Sequence, residues 1–227
     1  MVKAELFAVE WGSDVHAPPS DDAALKRIAA LQKEAGVRCC SYGTYFRLGV
    51  TPTAELPAYI RAAAVLGTDV LRLWCGDRDP GEYAPREREA LFDACRKAAE
   101  IAEKSGVTLC LECHNKTYTA TRAGAEEVME AVSSPAFGMY WQPNQYRSET
   151  ENLAYAAALA PRIRHVHVFQ WAGKERFPLK AGIDVWKRYL TALGGRHHLL
   201  LEFMPDDRIG SLKREADALR RIMEEAE

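Results

Sequence analysis

The chain has 227 residues, 48% of them hydrophobic, a formal net charge of −2 and a pI near 6.3. Those figures suit one large globular domain spanning residues 1–227. They exclude the basic footprint of a nucleic-acid-binding protein, and no apolar run approaches the length that spans a bilayer.

In chain order, short apolar runs alternate with amphipathic stretches. Strands are predicted near 5–11, 37–42, 69–75, 107–113, 136–142, 163–169 and 198–203. Helices are predicted near 21–35, 53–66, 86–105, 121–132, 149–160, 183–193 and 211–226. The segment PREREALFDACRKAAEIAEKSG shows the helical pattern: Leu91, Cys95, Ala98, Ala99 and Ile101/Ala102 recur at helical spacing, and Gly106 stops it. Thr121 and Ser211 read as N-caps, and Pro52, Pro85 and Pro161 punctuate loops or helix ends. Strands separated by helices imply a parallel sheet, an α/β fold of the (β/α) barrel kind. Seven strands are visible where a full barrel has eight. The segment VKAEL ahead of FAVEWG reads as a helix tail, so a first βα unit is expected to be missing. The exposed sheet edges would then invite pairing with another copy of the chain.

The N-terminal MVKAELFAVEWG lacks the regions of a signal peptide. Cys39, Cys40, Cys75, Cys95, Cys110 and Cys113 fall mostly in apolar runs, where cysteine acts as a small buried hydrophobe. A reduced, cytoplasmic protein is expected.

The chemistry gathers at strand ends. Glu112, Gln142, His167 and Glu202 each close a strand-like run, with gaps of 30, 25 and 35 residues that fit one strand, one helix and two loops. In a parallel barrel such ends converge on one face, where active sites form. Alternation puts Cys110, Glu112 and His114 on one strand face, His165 and His167 on another, and His198, Leu200 and Glu202 on a third. A lone strand-end Glu is ordinarily a solvated carboxylate. Two at matching positions repel each other unless something cationic lies between them. His165, one layer deeper, reads as a core histidine. Arg72 shares the parity of Trp74 on an apolar strand and needs an acid partner such as Glu10 or Glu112. Glu10, Trp11, His16, Arg72, Trp74, His114, Gln145 and Trp171 are the candidate substrate contacts. For the tryptophans, core filling competes with stacking on a sugar face. No Gly-rich phosphate cradle is present.

The series LCLECHN, MYWQPNQ, HVHVFQW and LLLEFMPDD, with EWGSDVHAPP near the start and LRLWCG between, resembles the xylose isomerase-like TIM-barrel superfamily and its sugar phosphate isomerase/epimerase group. The resemblance covers nearly the whole chain. It implies a Glu, Asp, His, Glu metal set, matched by Glu112, His167 and Glu202, with Gln142 in the Asp place and Gln145 where a substrate-binding histidine is usual. It implies a divalent metal ion, Mn²⁺ first and Mg²⁺, Co²⁺ or Zn²⁺ as alternatives. A neutral amide attracts such a cation less than a carboxylate does. The implied activity is a sugar isomerase or epimerase on a small ketose or aldose, with Glu112 and Glu202 as catalytic bases. The alternatives are a keto-sugar lyase or dehydratase on the same site and a catalytically inactive sugar-binding barrel.

Overall fold

The computed structural model describes residues 1–226. In chain order its elements are β1 (Ala8–Gly12), α1 (Asp22–Glu34), β2 (Arg38–Leu48), α2 (Leu56–Leu66), β3 (Val70–Cys75), α3 (Pro85–Ser105), β4 (Thr108–Glu112), α4 (Arg122–Ala131), β5 (Phe137–Trp141), α5 (Glu149–Leu159), β6 (Ile163–Val168), the two-residue strands β7 (Trp171–Ala172) and β8 (Glu175–Arg176), α6 (Ile183–Leu193), β9 (His198–Leu201) and α7 (Leu212–Ala226). Strands β1 to β5 lie side by side in that order, β6 lies beside β9, and β7 and β8 form a separate antiparallel hairpin. Each predicted strand and helix has its counterpart. VKAEL, read as a helix tail, is only a short 3-10 turn at Val2–Ala4.

Where the sequence shows no linker, packing divides the chain into two compact units. One is Ala8–Tyr140; the other is Met1–Phe7 together with the chain from Trp141 onward.

In the first unit, β1 to β5 pair in parallel. Helix α3 begins with Pro85 at its first position and the Glu87 carboxylate accepting from Ala84 N at 2.9 Å, and it ends on Gly106 in the left-handed conformation. Its buried stripe holds Leu91, Cys95, Ala98, Ala99 and Ala102 of the predicted face and adds Phe92, while Ile101 is only half-buried. Thr121 caps α4 by accepting from Gly124 N at 3.0 Å. Ser211 does not cap α7: it ends a 3-10 turn, and its hydroxyl donates to Asp206 Oδ2 at 2.6 Å.

Strand β2 is longer than its apolar run suggests because it carries a bulge. Gly43 pairs with Arg72 and Arg47 with Trp74, so the register slips between them. Tyr45 takes a left-handed φ of 54° there. Thr44 fills the gap, donating to Arg72 O at 2.8 Å and accepting from Phe46 N at 3.2 Å.

Beside the bulge lies a buried ion network. Arg72 Nε donates to Glu10 Oε1 at 2.8 Å, and Arg72 Nη1 donates to Glu112 Oε2. A Cβ on Gly43 would stand 2.6 Å from Arg72 Nη2 and 2.9 Å from Glu10 Oε1. Glycine is therefore required at this close approach.

In the second unit, β6 and β9 pair in parallel, α6 packs on both α5 and α7, and the Glu149/Glu151 turn of α5 is closed by a Ser148–Glu151 capping box. Glu215 of α7 is a buried carboxylate that accepts from Leu179 N at 2.6 Å and Arg214 Nε at 2.7 Å.

All six cysteines are buried. Burial pushes the Cys39 and Cys40 thiols up to about 12 and Cys75, beside Cys95, well above the ordinary thiol range. The native protein should therefore resist a thiol-disulfide dye at pH 8, and all six thiols should react once urea unfolds it. Arg72→Ala should lower the unfolding free energy by about 3–5 kcal/mol, because it leaves buried carboxylates without their shared cation. Urea denaturation measures this, and Arg72→Lys should recover only part of the loss, since an ammonium lacks the guanidinium's fork.

Candidate metal centre

Alternation along the strands sorts the candidate residues. In the Ala8–Tyr140 unit, Glu10, Arg72, Trp74 and Glu112 share one side of the sheet. Glu10 accepts from Ser41 Oγ at 2.8 Å as well as from Arg72. Glu112 Oε2 accepts from Arg72 Nη1 and from Trp74 Nε1, the latter at 2.6 Å. Glu112 is 2% exposed and Arg72 5%, so the guanidinium supplies the charge that lets two carboxylates stay buried. Arg72 thus pairs with both acids the sequence offers it.

Above them the aromatic rings form a tier. Trp74 lies between the Arg47 guanidinium, 4.2 Å from its ring centroid, and the His114 ring at 4.9 Å, with Tyr45 edge-on at 5.2 Å. The loop after β4 is braced from beneath: Thr119 Oγ1 donates to Glu112 O at 2.5 Å, and Thr117 Oγ1 donates to His114 O at 2.6 Å. Burial pushes the Tyr140 hydroxyl well above its ordinary range, with the Glu10 charge adding to the effect.

Trp11 and His16 sit elsewhere. Trp11 follows Glu10 by one residue and so faces the other side of β1, where its Nε1 donates to Gln32 Oε1 of α1 at 3.0 Å. His16 is exposed and rests on the Trp11 ring, 5.9 Å between centroids. Trp11 thus braces a helix. Trp141 is likewise core, packed at 5.2 Å on Tyr189 and 6.1 Å on Trp186.

In the unit that begins at Trp141, His167 is the focus. Its Nδ1 lies 2.9 Å from Gln142 Oε1 and 3.4 Å from Glu202 Oε2. Glu202 follows β9 directly and is fixed by its own N–H, which donates to Val168 O at 3.0 Å. His165, one layer deeper, is buried and meets the His198 ring edge-on at 4.8 Å, as a core histidine does. Gln145 and Trp171 flank the neighbouring loops; Gln145 O accepts from Gly173 N at 3.0 Å, and Trp171 packs against Phe203 at 4.7 Å and under the Arg176 guanidinium at 5.0 Å.

His167 and Glu202 thus bring an imidazole and a carboxylate that could serve a metal ion, and Glu112, in the Ala8–Tyr140 unit, is a buried carboxylate at a strand end. Two carboxylates and an imidazole suit a divalent cation of hard or borderline character. A cation at an imidazole nitrogen takes the place of a proton. At Nδ1 it would compete with the Gln142 hydrogen bond, which gives Gln142 two roles: partner of the imidazole or oxygen donor to the ion.

Several contributors escaped the sequence reading. Ser41, Gly43 and Tyr45 all lie on β2, and their one visible signal is the SYGTY run, a glycine set among bulky strand formers. No helix among the described residues is long and apolar enough to cross a membrane.

A family model for the xylose isomerase-like TIM barrel matches residues 3–226. Inosose dehydratase of Serratia proteamaculans (strain 568) is 24% identical over 178 residues, covering 69% of this chain and 58% of that protein. The match thus spans less than two thirds of that relative's length. Among solved structures, the probable 3-DHS dehydratase AsbF from Bacillus anthracis superposes with a TM-score of 0.79 at 16% identity, covering 96% of this chain and 90% of that one. L-ribulose 3-epimerase superposes with a TM-score of 0.69 at 17% identity, covering 99% and 85%. At such identities the structural likeness speaks for the fold. By the near full-length family match, the chain belongs to the xylose isomerase-like TIM-barrel family.

Proposed function

We propose that this protein is a divalent-metal-dependent enzyme that moves a proton on the carbon next to a carbonyl of a small carbohydrate, as a sugar isomerase or epimerase. The observation that carries the reading is His167 Nδ1 set beside Gln142 Oε1 at 2.9 Å and Glu202 Oε2 at 3.4 Å; the reading adds Glu112, at the end of β4, as a further ligand of the same ion. A bound divalent ion there would supply Lewis-acid polarisation of the carbonyl.

The remaining work falls to the chain's own residues. Glu112 is held by Arg72 and Trp74 through one oxygen, which fixes the carboxylate plane and leaves its orientation little freedom. Glu202 is the more exposed of the two acids, its side chain 27% accessible against 3% for Glu112. The two carboxylates serve as the acid–base pair: one accepts the carbon-bound proton, and the other returns a proton to the adjacent carbon or the opposite face. Trp74 and His114 wall the Glu112 side, where an aromatic face can pack on sugar C–H groups.

A second reading, dehydration of a keto-sugar or related cyclic ketone, is supported by the names of two relatives, inosose dehydratase and the probable 3-DHS dehydratase. The first step is the same proton removal; a leaving hydroxyl one carbon further turns it into β-elimination. Incubation with keto-sugars in D₂O separates the outcomes by NMR. Deuterium incorporation with a rearranged sugar supports isomerisation or epimerisation, and an enone with loss of water supports dehydration. Absence of both exchange and elimination under added Mn²⁺ would favour a binding protein.

Glu112→Gln and Glu202→Gln should each lower Mn²⁺-dependent exchange by roughly 10²–10⁴-fold. Wild-type rates in both folded variants would remove the glutamates from the chemistry. Gln142→Asp should tighten Mn²⁺ binding by roughly tenfold, since it adds a carboxylate where the neutral amide stands; calorimetric titration of the ion reads this directly.

A further inference from the structure

The loop after β9 holds two residues in a conformation their side chains disfavour. Phe203, the residue after Glu202, has a φ of 51°, and Asp207 a φ of 50°. A left-handed step is costly for a bulky L-residue. Such steps persist where the surrounding structure over-determines them, and they cluster at functional sites. Burial gives Phe203 little in return, because 44% of the residue stays exposed.

The step redirects the ring. In an extended chain the residue after Glu202 would point to the opposite side from it. Here the Phe203 ring meets the loop that follows His167, at 5.9 Å from Phe169 and 4.7 Å from Trp171 between centroids. Phe169, Phe177, Phe203 and Met204 line a narrow cleft together with Glu202.

Arg176 of β8 pins this arrangement. Its guanidinium lies 5.0 Å from the Trp171 ring and 5.3 Å from the Phe203 ring. Its Nη1 donates to Met204 O at 3.3 Å and to Asp207 Oδ1 at 2.5 Å. Both left-handed residues therefore serve one clasp, Phe203 with a ring and Asp207 with a carboxylate. Asp207 also matches the charge of Arg176, so the clasp offers an anionic ligand no spare cation. A half-open aromatic ring beside a carboxylate suits the C–H face of a carbohydrate.

We propose that Phe203 contacts the substrate and sets specificity: its ring packs on a C–H face of a neutral ketose whose reacting end engages His167 and Glu202, resting on the reading of that centre as the catalytic one. The left-handed step is what places the ring there. Arg176 and Asp207 act through the ring, as positioning residues.

The test uses the full chain and the variants Phe203→Gly, Phe203→Ala and Phe203→Tyr. Urea denaturation reads the backbone. Glycine accepts a positive φ freely, so Phe203→Gly should unfold at a higher urea concentration than Phe203→Ala, the reverse of their usual order. An equal or lower midpoint, or a Phe203→Gly chain that does not fold, would make the ring a structural prop and overturn the proposal. Saturation-transfer NMR of the Mg²⁺-loaded protein reads the ring itself. The probes are the D-ketohexoses fructose, psicose, sorbose and tagatose, with fructose 6-phosphate as the charged comparison. Irradiating aromatic protons should saturate C–H protons of at least one neutral sugar. Phe203→Gly should weaken that sugar by roughly 3- to 10-fold, the loss of one ring contact, and Phe203→Tyr should keep the wild-type affinity. Unchanged affinity in Phe203→Gly, an equal loss in Phe203→Tyr, tighter binding of fructose 6-phosphate, or no transfer to any neutral sugar would each overturn it. Ring-dependent sugar binding without metal-dependent exchange would leave the Phe203 contact standing and remove the catalytic reading. Metal-dependent exchange on a ketose that Phe203→Gly leaves unchanged would do the reverse.

Discussion

One guanidinium sets the terms for the Ala8–Tyr140 unit. Arg72 is 5% exposed and bridges Glu10 and Glu112. A cation at that depth demands acid partners, and acids at that depth demand a cation. The surrounding strands are shaped to meet this. Gly43 has no Cβ, so the Glu10–Arg72 pair can pass close to the backbone. The bulge in β2 turns Thr44 onto Arg72 O and carries Tyr45 to within 5.5 Å of the guanidinium. A site carboxylate needs a defined direction, and here that direction comes from a neighbour whose own position is over-determined.

Replacing the family's acid by Gln142 changes the balance at His167. A carboxylate would add a negative charge; an amide adds a dipole and a hydrogen bond to Nδ1 at 2.9 Å. A divalent ion proposed at His167 would therefore meet one negative charge fewer than the set that the family resemblance implies.

The aromatic residues divide by face more than by type. Trp74 touches Glu112, Trp11 braces a helix, Trp141 fills core, and Trp171 packs on Phe203 beside a cavity. All four lie at or near strand ends. Parity explains the first two, because neighbours in a strand point to opposite sides. The other two depend on what packs against them. The same holds for the buried thiols: their positions in apolar runs foretell burial, but the 3.8 Å approach of Cys75 to Cys95 comes from the docking of α3 on β3.

The alternation of strand and helix, the parallel sheet, the strand-end location of Glu112, Gln142, His167 and Glu202, and the inward face of Arg72 were legible in the sequence. Each follows from a local period, 2 in a strand and 3.6 in a helix, which apolar spacing records directly. Tertiary structure alone decided that Arg72 takes both acids, that β2 bulges around Gly43, that Trp11 turns to α1, that Ser211 spends its hydroxyl on Asp206 instead of capping, and that Phe203 meets Trp171. Those outcomes are choices among partners distant in sequence, and the cost of burying each polar group is settled only when the packed neighbours are in place.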